Sequence, residues 1–458
     1  MQMTSNIFKL SALSGALLAS SISFAYADSR YVEAPKTRPY KEYNNTSGKV
    51  VATYFPDWRL QGEVYTVRNM PVKNMTHVIY AFLTLCGEHN YVAEGLKKSL
   101  AETCKDKPPF SAVIADTEAA LEVKFDKKPA EQEYYGHFGE LKKIYQQNPD
   151  LVILPSFGGW TLSEPFHQMA KSEEGRKNFV KSAVALIAKY DFFGGIDIDW
   201  EYPGGEGNSH VAWRGTSLTD EEKANERKAY TLLMKELREE LDALAKKTGR
   251  KYELSAAVSG AGSKVEAIDW QETQQYLDYV FAMTYDFFGG WGPKVGHLTN
   301  LHATKDTVWG ISVESMLTTL ETAGVPKEKL VIGAAFYGRG WEGAKWEKPE
   351  QFPESGTEGK ALANPNGGEA GLFTYKEIMR RYMDQGGYEY GYDEDAEAAY
   401  VYNKNNGGFI TFDDPRSIKA KAKFVIDKGY GGIYSWEITS DDGSLLKAMN
   451  KGLGHKTK

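Results

Sequence analysis

The sequence predicts an α/β protein built on a (β/α)8 TIM barrel, with a small α+β insertion domain between strands seven and eight. Short β-rich runs alternate with longer amphipathic stretches eight times along the 458 residues. Repeated strand–helix alternation is typical of a parallel sheet, and one large barrel accommodates a chain of this length. A doubly wound open sheet remains the alternative from the pattern alone.

The strand predictions rest on runs of β-branched and aromatic residues. They are Val50–Phe55, His77–Leu83, Leu151–Ser156, Gly195–Glu201, Glu253–Ser259, Tyr279–Tyr285, Leu330–Tyr337 and Gly432–Trp436. Between them, apolar residues recur three and four apart, as in Tyr230, Leu233, Met234 and Leu237. This spacing predicts helices with one buried face.

The longest interval separates the last two strand predictions. Its middle part alternates with period two, at Tyr388–Tyr392 and again at Ala399–Tyr402, which predicts antiparallel strands. We therefore expect an insertion domain at residues 340–412 and a barrel made of residues 48–339 and 413–458. A helix over Pro415–Asp427 is expected to return the chain to the barrel.

The N-terminal 27 residues have the pattern of a secretory signal peptide. Leu10–Phe24 is apolar, and Ala25-Tyr26-Ala27 fits the small-x-small cleavage rule. We expect cleavage after Ala27, a lead-in segment at residues 28–47, and a secreted protein, either periplasmic or extracellular. No other segment is apolar enough to span a membrane. The net charge of −7 and the lack of long basic runs argue against nucleic acid as a partner. A monomer is expected.

Only two cysteines are present, Cys86 and Cys104. In an exported protein two cysteines most simply form a disulfide, whereas two free buried thiols are the alternative. Neither cysteines nor histidines show a metal-ligand spacing, so we expect no metal and no cofactor.

Residues 192–203 carry the most informative pattern. Asp197, Asp199 and Glu201 alternate with large apolar residues, so a strand would place all three carboxyl groups on one face. Crowded carboxylates in a site of low dielectric constant cannot all be ionised, which suits acid–base catalysis. A surface strand with an acidic stripe is the alternative.

Active sites of such barrels lie at the carboxyl ends of the strands. Acidic and aromatic residues gather at these predicted ends, an arrangement suited to a carbohydrate cleft. The segments concerned are Ser156-Phe157-Gly158-Gly159-Trp160, Met283-Thr284-Tyr285-Asp286, Tyr337-Gly338-Arg339-Gly340-Trp341 and Tyr434-Ser435-Trp436-Glu437.

Together with Gly195-Ile196-Asp197-Ile198-Asp199-Trp200-Glu201, these motifs resemble the family 18 glycoside hydrolases, the chitinases, and especially bacterial chitinase A-type enzymes. The resemblance extends over about residues 48–452. It implies that Glu201 is the general acid and then the base. It also implies substrate-assisted catalysis, in which the 2-acetamido group of the sugar attacks and net retention follows.

The resemblance also implies roles for the other residues. Asp199 would hold the acetamido N–H, and Asp197 would share a proton with it while held by Tyr54 and Ser156. Tyr285 would bond the acetamido oxygen. Asp286 and Met283 would shape the pocket of the sugar that is attacked, and Trp436 would form its floor. The expected further sugar contacts are Trp58, Trp160, Trp291, Tyr202, Tyr337 and Arg339.

Some of these residues have simpler interpretations. Trp436 could belong to the barrel core, Met283 could serve packing, and Arg339 could be a structural ion-pair partner. The sequence departs from the family at Gly194, where the family usually has Asp. Strand alternation puts residue 194 off the face of Asp197, so we expect only a modest effect on stability or rate.

The sequence thus predicts an endo-acting chitinase that hydrolyses β-1,4 bonds between N-acetylglucosamine units, with chitin or its oligosaccharides as partner. The alternatives are a chitin-binding lectin-like protein on the same fold and an endo-β-N-acetylglucosaminidase that acts on N-glycans. A lectin on this fold is expected to have lost Glu201, so the presence of Glu201 argues against the lectin.

Overall fold

The computed structural model describes residues 30–458 apart from 37–38, 61–62, 128–129, 206, 208–217, 293, 306 and 346–357. The predicted signal peptide lies outside the described residues. Eight parallel strands form the centre, one for each predicted run. They are β1 (Val50–Pro56), β2 (His77–Leu85), β3 (Val152–Gly158), β4 (Gly195–Asp199), β5 (Glu253–Val258), β6 (Tyr279–Ala282), β7 (Leu330–Ala335) and β8 (Gly432–Trp436).

The sheet closes into a barrel. Each strand pairs in parallel with the next, and β1 pairs with both β8 and β2. The predicted fold class is therefore confirmed, and the open-sheet alternative is wrong. One short strand, Ala112–Ile114, was not predicted; it pairs antiparallel with the carboxyl end of β2. Near the chain ends, Tyr43–Asn44 pairs antiparallel with Lys456–Thr457.

Four strands end earlier than predicted, and at three of these ends, those of β4, β6 and β7, side chains replace backbone ladder bonds. After β6, the Thr284 hydroxyl donates to the carbonyl oxygen of Gly333 and accepts from its N–H. After β7, the Asp413 carboxylate accepts the N–H of Ala335. After β4, the N–H of Glu201 donates to a serine hydroxyl instead of a strand partner. Glu201 and Tyr285 therefore lie just beyond the strand ends, in the rim of the barrel.

The helices connect the strands on the outside. They are Glu94–Cys104, Gly136–Gln147, Glu164–Met169, Glu173–Lys189, Asp220–Thr248, Gly262–Glu266, Trp270–Thr273, Val313–Ala323, Tyr375–Arg381, Pro415–Lys428 and Ser444–Gly452, with short 3-10 or π turns at Val67–Asn69, Val72–Asn74, Glu118–Glu122, Gln274–Tyr276, Val308–Gly310, Lys327–Lys329 and Ile438–Ser440. None of the helices in the described residues is both long and apolar enough to cross a membrane.

Local sequence explains where the longest helices begin and end. Asp220–Thr248 begins with a capping box between Thr219 and Glu222, and it ends at Gly249 in the left-handed conformation. Pro415–Lys428 begins with Asp414 as its cap and with proline at its first position. This helix extends one residue beyond the predicted Pro415–Asp427.

A separate antiparallel sheet lies between β7 and β8 in the chain. Its strands are Tyr337–Glu342, Lys360–Ala361, Leu372–Thr374, Tyr388–Asp393, Ala398–Asn403 and Gly408–Phe412. The first strand begins at Tyr337, before the predicted boundary at residue 340. The strand prediction Leu330–Tyr337 is wrong at this end, because Tyr337 pairs with Thr374 in the inserted sheet rather than with the barrel.

The barrel strands bury both faces. Phe157, Ile198 and Trp200 pack outward against the helices in the larger apolar cluster. Tyr54, Phe281 and Tyr434 point inward and fill the barrel. The interior is therefore a packed core, and the polar groups gather at the carboxyl ends of the strands.

Candidate active site

The carboxyl end of β4 carries three buried carboxyl groups in a row, those of Asp197, Asp199 and Glu201. Strand alternation turns them toward the barrel axis, while the apolar residues between them join the outer cluster. The structure therefore rules out the acidic surface stripe. Each of the three carboxyl groups has a raised pKa, and burial is the largest cause in every case.

Asp197 is the most deeply buried of the three, and hydroxyl groups surround it. Its Oδ2 atom accepts hydrogen bonds from the Tyr54 hydroxyl at 2.9 Å and from Ser156 Oγ at 2.7 Å. Its Oδ1 atom accepts one from Ser255 Oγ at 2.6 Å. Burial raises the pKa of Asp197, and these three hydrogen bonds oppose that rise because they stabilise the ionised form.

Asp199 has a different environment, although it lies only two residues further on. Its Oδ1 atom is buried and has no hydrogen-bond partner among the described residues. Burial raises the pKa of Asp199 well above its ordinary value, and the charges of Glu201 and Asp197 raise it further. A buried acceptor without a donor is costly, so this atom is suited to an N–H group brought by a ligand.

Glu201 lies beyond the end of β4. Burial raises its pKa to about 7, the Asp286 carboxylate contributes in the same direction, and a hydrogen bond from Tyr202 opposes the rise. A carboxyl group with this pKa is largely protonated in mildly acidic solution and can exchange its proton near neutrality. These are the properties of a general acid that later serves as a base.

Tyr285 and Asp286 follow β6, which is separated from β4 by β5 alone. The Tyr285 hydroxyl lies 3.1 Å from the hydroxyl of Tyr434 on β8. The charges of Asp199, Asp197 and Glu201 raise the pKa of Tyr434, after burial as the main cause. The two phenols are therefore neutral donors that share the interior with the carboxyl row.

Arg339 links the inserted sheet to this rim. Its guanidinium donates to both oxygens of Asp286, at 2.8 and 3.1 Å, and to Glu369 at 3.1 Å. It also lies 4.8 Å from the ring centre of Trp291. Arg339 is thus an ion-pair partner, one of its two predicted interpretations. It holds the inserted sheet against Asp286.

Aromatic rings line the rim on both sides of the carboxyl row. Trp436 at the end of β8 is half-buried, with its ring centre 5.6 Å from Tyr54, 5.7 Å from Phe82 and 6.3 Å from Trp58. Three of the tryptophans predicted to contact sugar are more exposed than Trp436: Trp58 at 38%, Trp160 at 42% and Trp291 at 56%. Large apolar rings exposed beside a polar site are unusual in a folded protein unless they bind something.

The remaining predicted contacts lie at the same end of the barrel. Met283 packs at the edge of the inner cluster and is half-buried. Tyr337 is buried, and its ring is 6.2 Å from that of Tyr285. Tyr202 directly follows Glu201 and bonds it. Every predicted site residue except the cysteines thus lies at the carboxyl ends of the barrel strands or in the segments that follow them.

Cys86 and Cys104 lie elsewhere. They are bonded to each other, with their Cα atoms 5.6 Å apart, at the two ends of the segment that follows β2. The bond ties the helix Glu94–Cys104 to the barrel.

Sequence reasoning missed several residues of the site. Ser255 is paired in register with Asp197 on the neighbouring strand, and Tyr434 faces Tyr285. Phe82 is stacked on Trp436. Trp309, which is not assigned to the site, lies in the segment after β6, is 80% exposed, and has its ring parallel to that of Phe288. Ser255 could have been found by aligning the starts of adjacent strands, since parallel register determines which side chains meet.

Two further observations concern the chemistry of the site. Within the described part of the chain, no group of three His, Cys, Asp or Glu side chains is arranged to hold a metal ion. Gly194 lies at the amino end of β4, away from the carboxyl row. A Cβ atom at residue 194 would lie 3.2 Å from Val152 Cγ1, so a side chain there would meet Val152 and not the carboxyl row. The glycine therefore leaves the row intact.

Comparison with known proteins places this site in a family. The family model of the glycosyl hydrolases family 18 matches residues 50–441. Chitinase A of Pseudoalteromonas piscicida is 37% identical over 91% of this chain and 54% of its own length. A probable endochitinase of the Orgyia pseudotsugata multicapsid polyhedrosis virus is 34% identical over 92% of this chain and 74% of its own.

A solved structure agrees with these sequences. Chitinase ChiA74 from Bacillus thuringiensis superimposes with a TM-score of 0.78 and 28% identity, over 88% of this chain and 69% of that one. The chain spans about half the length of the Pseudoalteromonas chitinase, at 54%. With the matched profile covering most of its length, the chain belongs to family 18 of the glycoside hydrolases.

Proposed function

We propose that this protein hydrolyses internal β-1,4 bonds between N-acetylglucosamine units. The observation that carries the proposal is the pairing of Glu201, whose pKa burial raises to about 7, with the unpartnered Oδ1 atom of Asp199. The first group can protonate a glycosidic oxygen. The second offers a buried acceptor that a 2-acetamido N–H can occupy.

In the proposed mechanism Glu201 donates its proton to the leaving oxygen while the acetamido carbonyl oxygen of the same sugar attacks the anomeric carbon. The C–O bond to the leaving sugar breaks, and an oxazolinium ion forms. Asp199 accepts the acetamido N–H and stabilises the positive charge. The ionised Glu201 then takes a proton from a water molecule, whose oxygen attacks the anomeric carbon. The oxazolinium ring opens, and the configuration at the anomeric carbon is retained overall.

The other side chains support this chemistry through position. Asp197 is held by Tyr54, Ser156 and Ser255, so its carboxyl group has a fixed position behind Asp199, with which it shares a proton. The Tyr285 hydroxyl is a donor for the acetamido oxygen. Trp436 supplies an apolar face beneath the sugar, and the exposed tryptophans extend that surface to neighbouring sugars. This extended aromatic surface supports endo-action on a polymer.

The test is product analysis with N-acetylglucosamine oligomers long enough to offer several internal β-1,4 bonds. Native protein should release mainly internal cleavage products, with the β-anomer formed first. Glu201→Gln should lose nearly all turnover and keep oligomer binding. Glu253→Gln is the matched control, because Glu253 is also buried in the barrel but pairs with His77 at the amino end of β5.

The outcomes separate the rival functions. Cleavage of N-glycans in place of these oligomers would identify the glycan-processing alternative. Binding without cleavage by native protein would identify a lectin. Oligomers that lack the acetyl groups should not be cleaved, since the attacking oxygen is then missing; their efficient cleavage would contradict the substrate-assisted mechanism.

We also propose that the protein is exported, with cleavage after Ala27. The disulfide between Cys86 and Cys104 supports this proposal, because such bonds persist in oxidising compartments. Mass spectrometry of protein recovered from the periplasm and the culture medium tests it. Uncleaved protein found only in the cytoplasm would contradict it.

A further inference from the structure

Ser163 lies behind the catalytic row and touches the backbone on both sides of Trp200. It is completely buried in the turn after β3. Its hydroxyl oxygen accepts the N–H of Glu201 at 2.9 Å and lies 3.1 Å from the carbonyl oxygen of Asp199. It also lies 2.8 Å from the carbonyl oxygen of Gly159. Since a hydroxyl has one proton, it donates to one carbonyl at a time while accepting from Glu201.

Gly158 and Gly159, at the carboxyl end of β3, also contact the backbone of Asp199. The N–H of Gly159 donates to the carbonyl oxygen of Asp199 at 2.7 Å. Gly158 has a φ of +115°, and a Cβ atom there would lie 2.3 Å from that oxygen. The turn after β3 therefore packs directly on the backbone of Asp199, at the point where β4 stops pairing as a strand.

Glu226 makes the corresponding contact after Glu201. This buried carboxylate on the helix Asp220–Thr248 accepts the N–H of Gly204 at 2.8 Å through Oε2. Its Oε1 atom lies 2.7 Å from Nδ1 of His167, whose ring packs edge-on against Trp200. Side chains thus hold the backbone both before and after the catalytic glutamate.

We propose that Ser163 and Glu226 are positioning residues for Glu201. They touch neither substrate nor the reacting atoms. They fix the backbone of residues 199–204, and through it the place of the Glu201 carboxyl group relative to Asp199. The inference rests on the proposed function of Glu201 as the acid. A displacement of about 1 Å at a reacting group costs up to roughly 100-fold in rate.

If Ser163 served stability alone, its loss would lower the melting temperature without a specific loss of kcat. A matched control variant separates these two effects. Ser182 is a serine on the helix Glu173–Lys189 whose hydroxyl accepts the N–H of Ala112 at 2.8 Å and donates to the carbonyl of Asn178 at 2.6 Å. Ser182→Ala removes the same kind of hydrogen bond on the outside of the barrel. It should lower the melting temperature without changing kcat.

The experiment measures kcat, KM, melting temperature and amide hydrogen exchange for the full chain. Ser163→Ala should lower kcat by about 10- to 100-fold with KM within about twofold of native. Ser163→Thr, which keeps a hydroxyl group, should recover most of kcat. Exchange at the amide of Glu201 should become faster in Ser163→Ala and stay native in Ser182→Ala. If Ser163→Ala does not fold, Glu226→Gln carries the same kcat and KM test.

The proposal is overturned if Ser163→Ala keeps native kcat, or if Ser182→Ala loses as much kcat at the same loss of melting temperature. The exchange measurement separates this failure from failure of the proposed function. If native protein cleaves no N-acetylglucosamine oligomer, the proposed function fails, whereas unchanged exchange at Glu201 would still refute the positioning by Ser163.

Discussion

The pH dependence of turnover tests the proposed acid directly, because two neighbours shift the pKa of Glu201 in opposite directions. The pKa of about 7 places the alkaline limb of kcat/KM near neutrality. Glu201 must be protonated to act as the proposed acid, so its titration makes the rate fall above this pH. At one pH unit above the pKa only about one molecule in eleven carries the proton, a loss of about tenfold.

Tyr202→Phe removes the hydrogen bond that favours ionised Glu201, so the alkaline limb should move to higher pH. A hydrogen bond to a charged group contributes about 1.5–3 kcal/mol. Since one pKa unit corresponds to about 1.4 kcal/mol, we expect a shift of about one to two units. Asp286→Asn removes a nearby negative charge, so its limb should move to lower pH.

The assay measures kcat/KM from about pH 5 to about pH 9. The substrates are unmodified N-acetylglucosamine oligomers, because an activated leaving group needs little protonation and would hide the titration of the acid. Tyr392→Phe is the matched control. It removes a phenol that donates to Glu397 in the inserted sheet, far from the row, and it should leave the limb in place. An unmoved limb in Tyr202→Phe, or shifts of the same sign in both site variants, would refute the assignment of the limb to Glu201.

Three further predictions concern stability. Gly195→Ala should lower the free energy of unfolding by more than about 3 kcal/mol in urea titrations, because its Cβ would lie 2.0 Å from the carbonyl oxygen of Glu253; Gly249→Ala, with open space at φ +73°, should cost only about 1–2 kcal/mol. Asp199→Asn should abolish turnover yet raise Tm near neutral pH by about 1 °C or more. Burial raises the pKa of Asp199, so the native carboxyl group contributes fully to stability below its unfolded pKa, and this contribution is lost as the pH rises through the folded pKa. The Tm gain of Asp199→Asn should therefore vanish toward about pH 4. A Tm gain independent of pH would contradict this reasoning. Cys104→Ser should cost about 3 kcal/mol by thermal unfolding without reductant, and reducing native protein should reproduce that loss.

The barrel could be predicted from the sequence because each strand is a separate apolar run followed by a helix of clear period. The ends of the strands could not, since they depend on long-range side chains. Asp413 ends β7 by bonding Ala335 from the far side of the insertion. Thr284 ends β6 by bonding Gly333. Neither bond leaves a local pattern in the sequence.

The carboxyl row was predictable for a related reason. Its three members lie on one strand, where period two alone brings them together. The donors around Asp197 come from three other strands, and only the register of the closed barrel aligns them. Tyr54 and Ser156 were named through family resemblance, whereas Ser255 sits in an unremarkable run and was missed.

The surroundings of Asp197 and Asp199 differ, and this difference supports the separate roles proposed for the two carboxyl groups. Asp197 receives three hydroxyl donors, which favour its ionised form, whereas Asp199 receives none at Oδ1 and is opposed by the charges on both sides. A proton shared between the two therefore resides mainly on Asp199 while the site is empty. In the proposed mechanism, an acetamido N–H supplies the donor that Oδ1 lacks. In that mechanism the shared proton passes to Asp197, and the ionised Asp199 stabilises the positive charge that develops on the sugar beside it. On this proposal, the paired carboxyl groups couple binding of the substrate to the negative charge on Asp199 that the reaction needs.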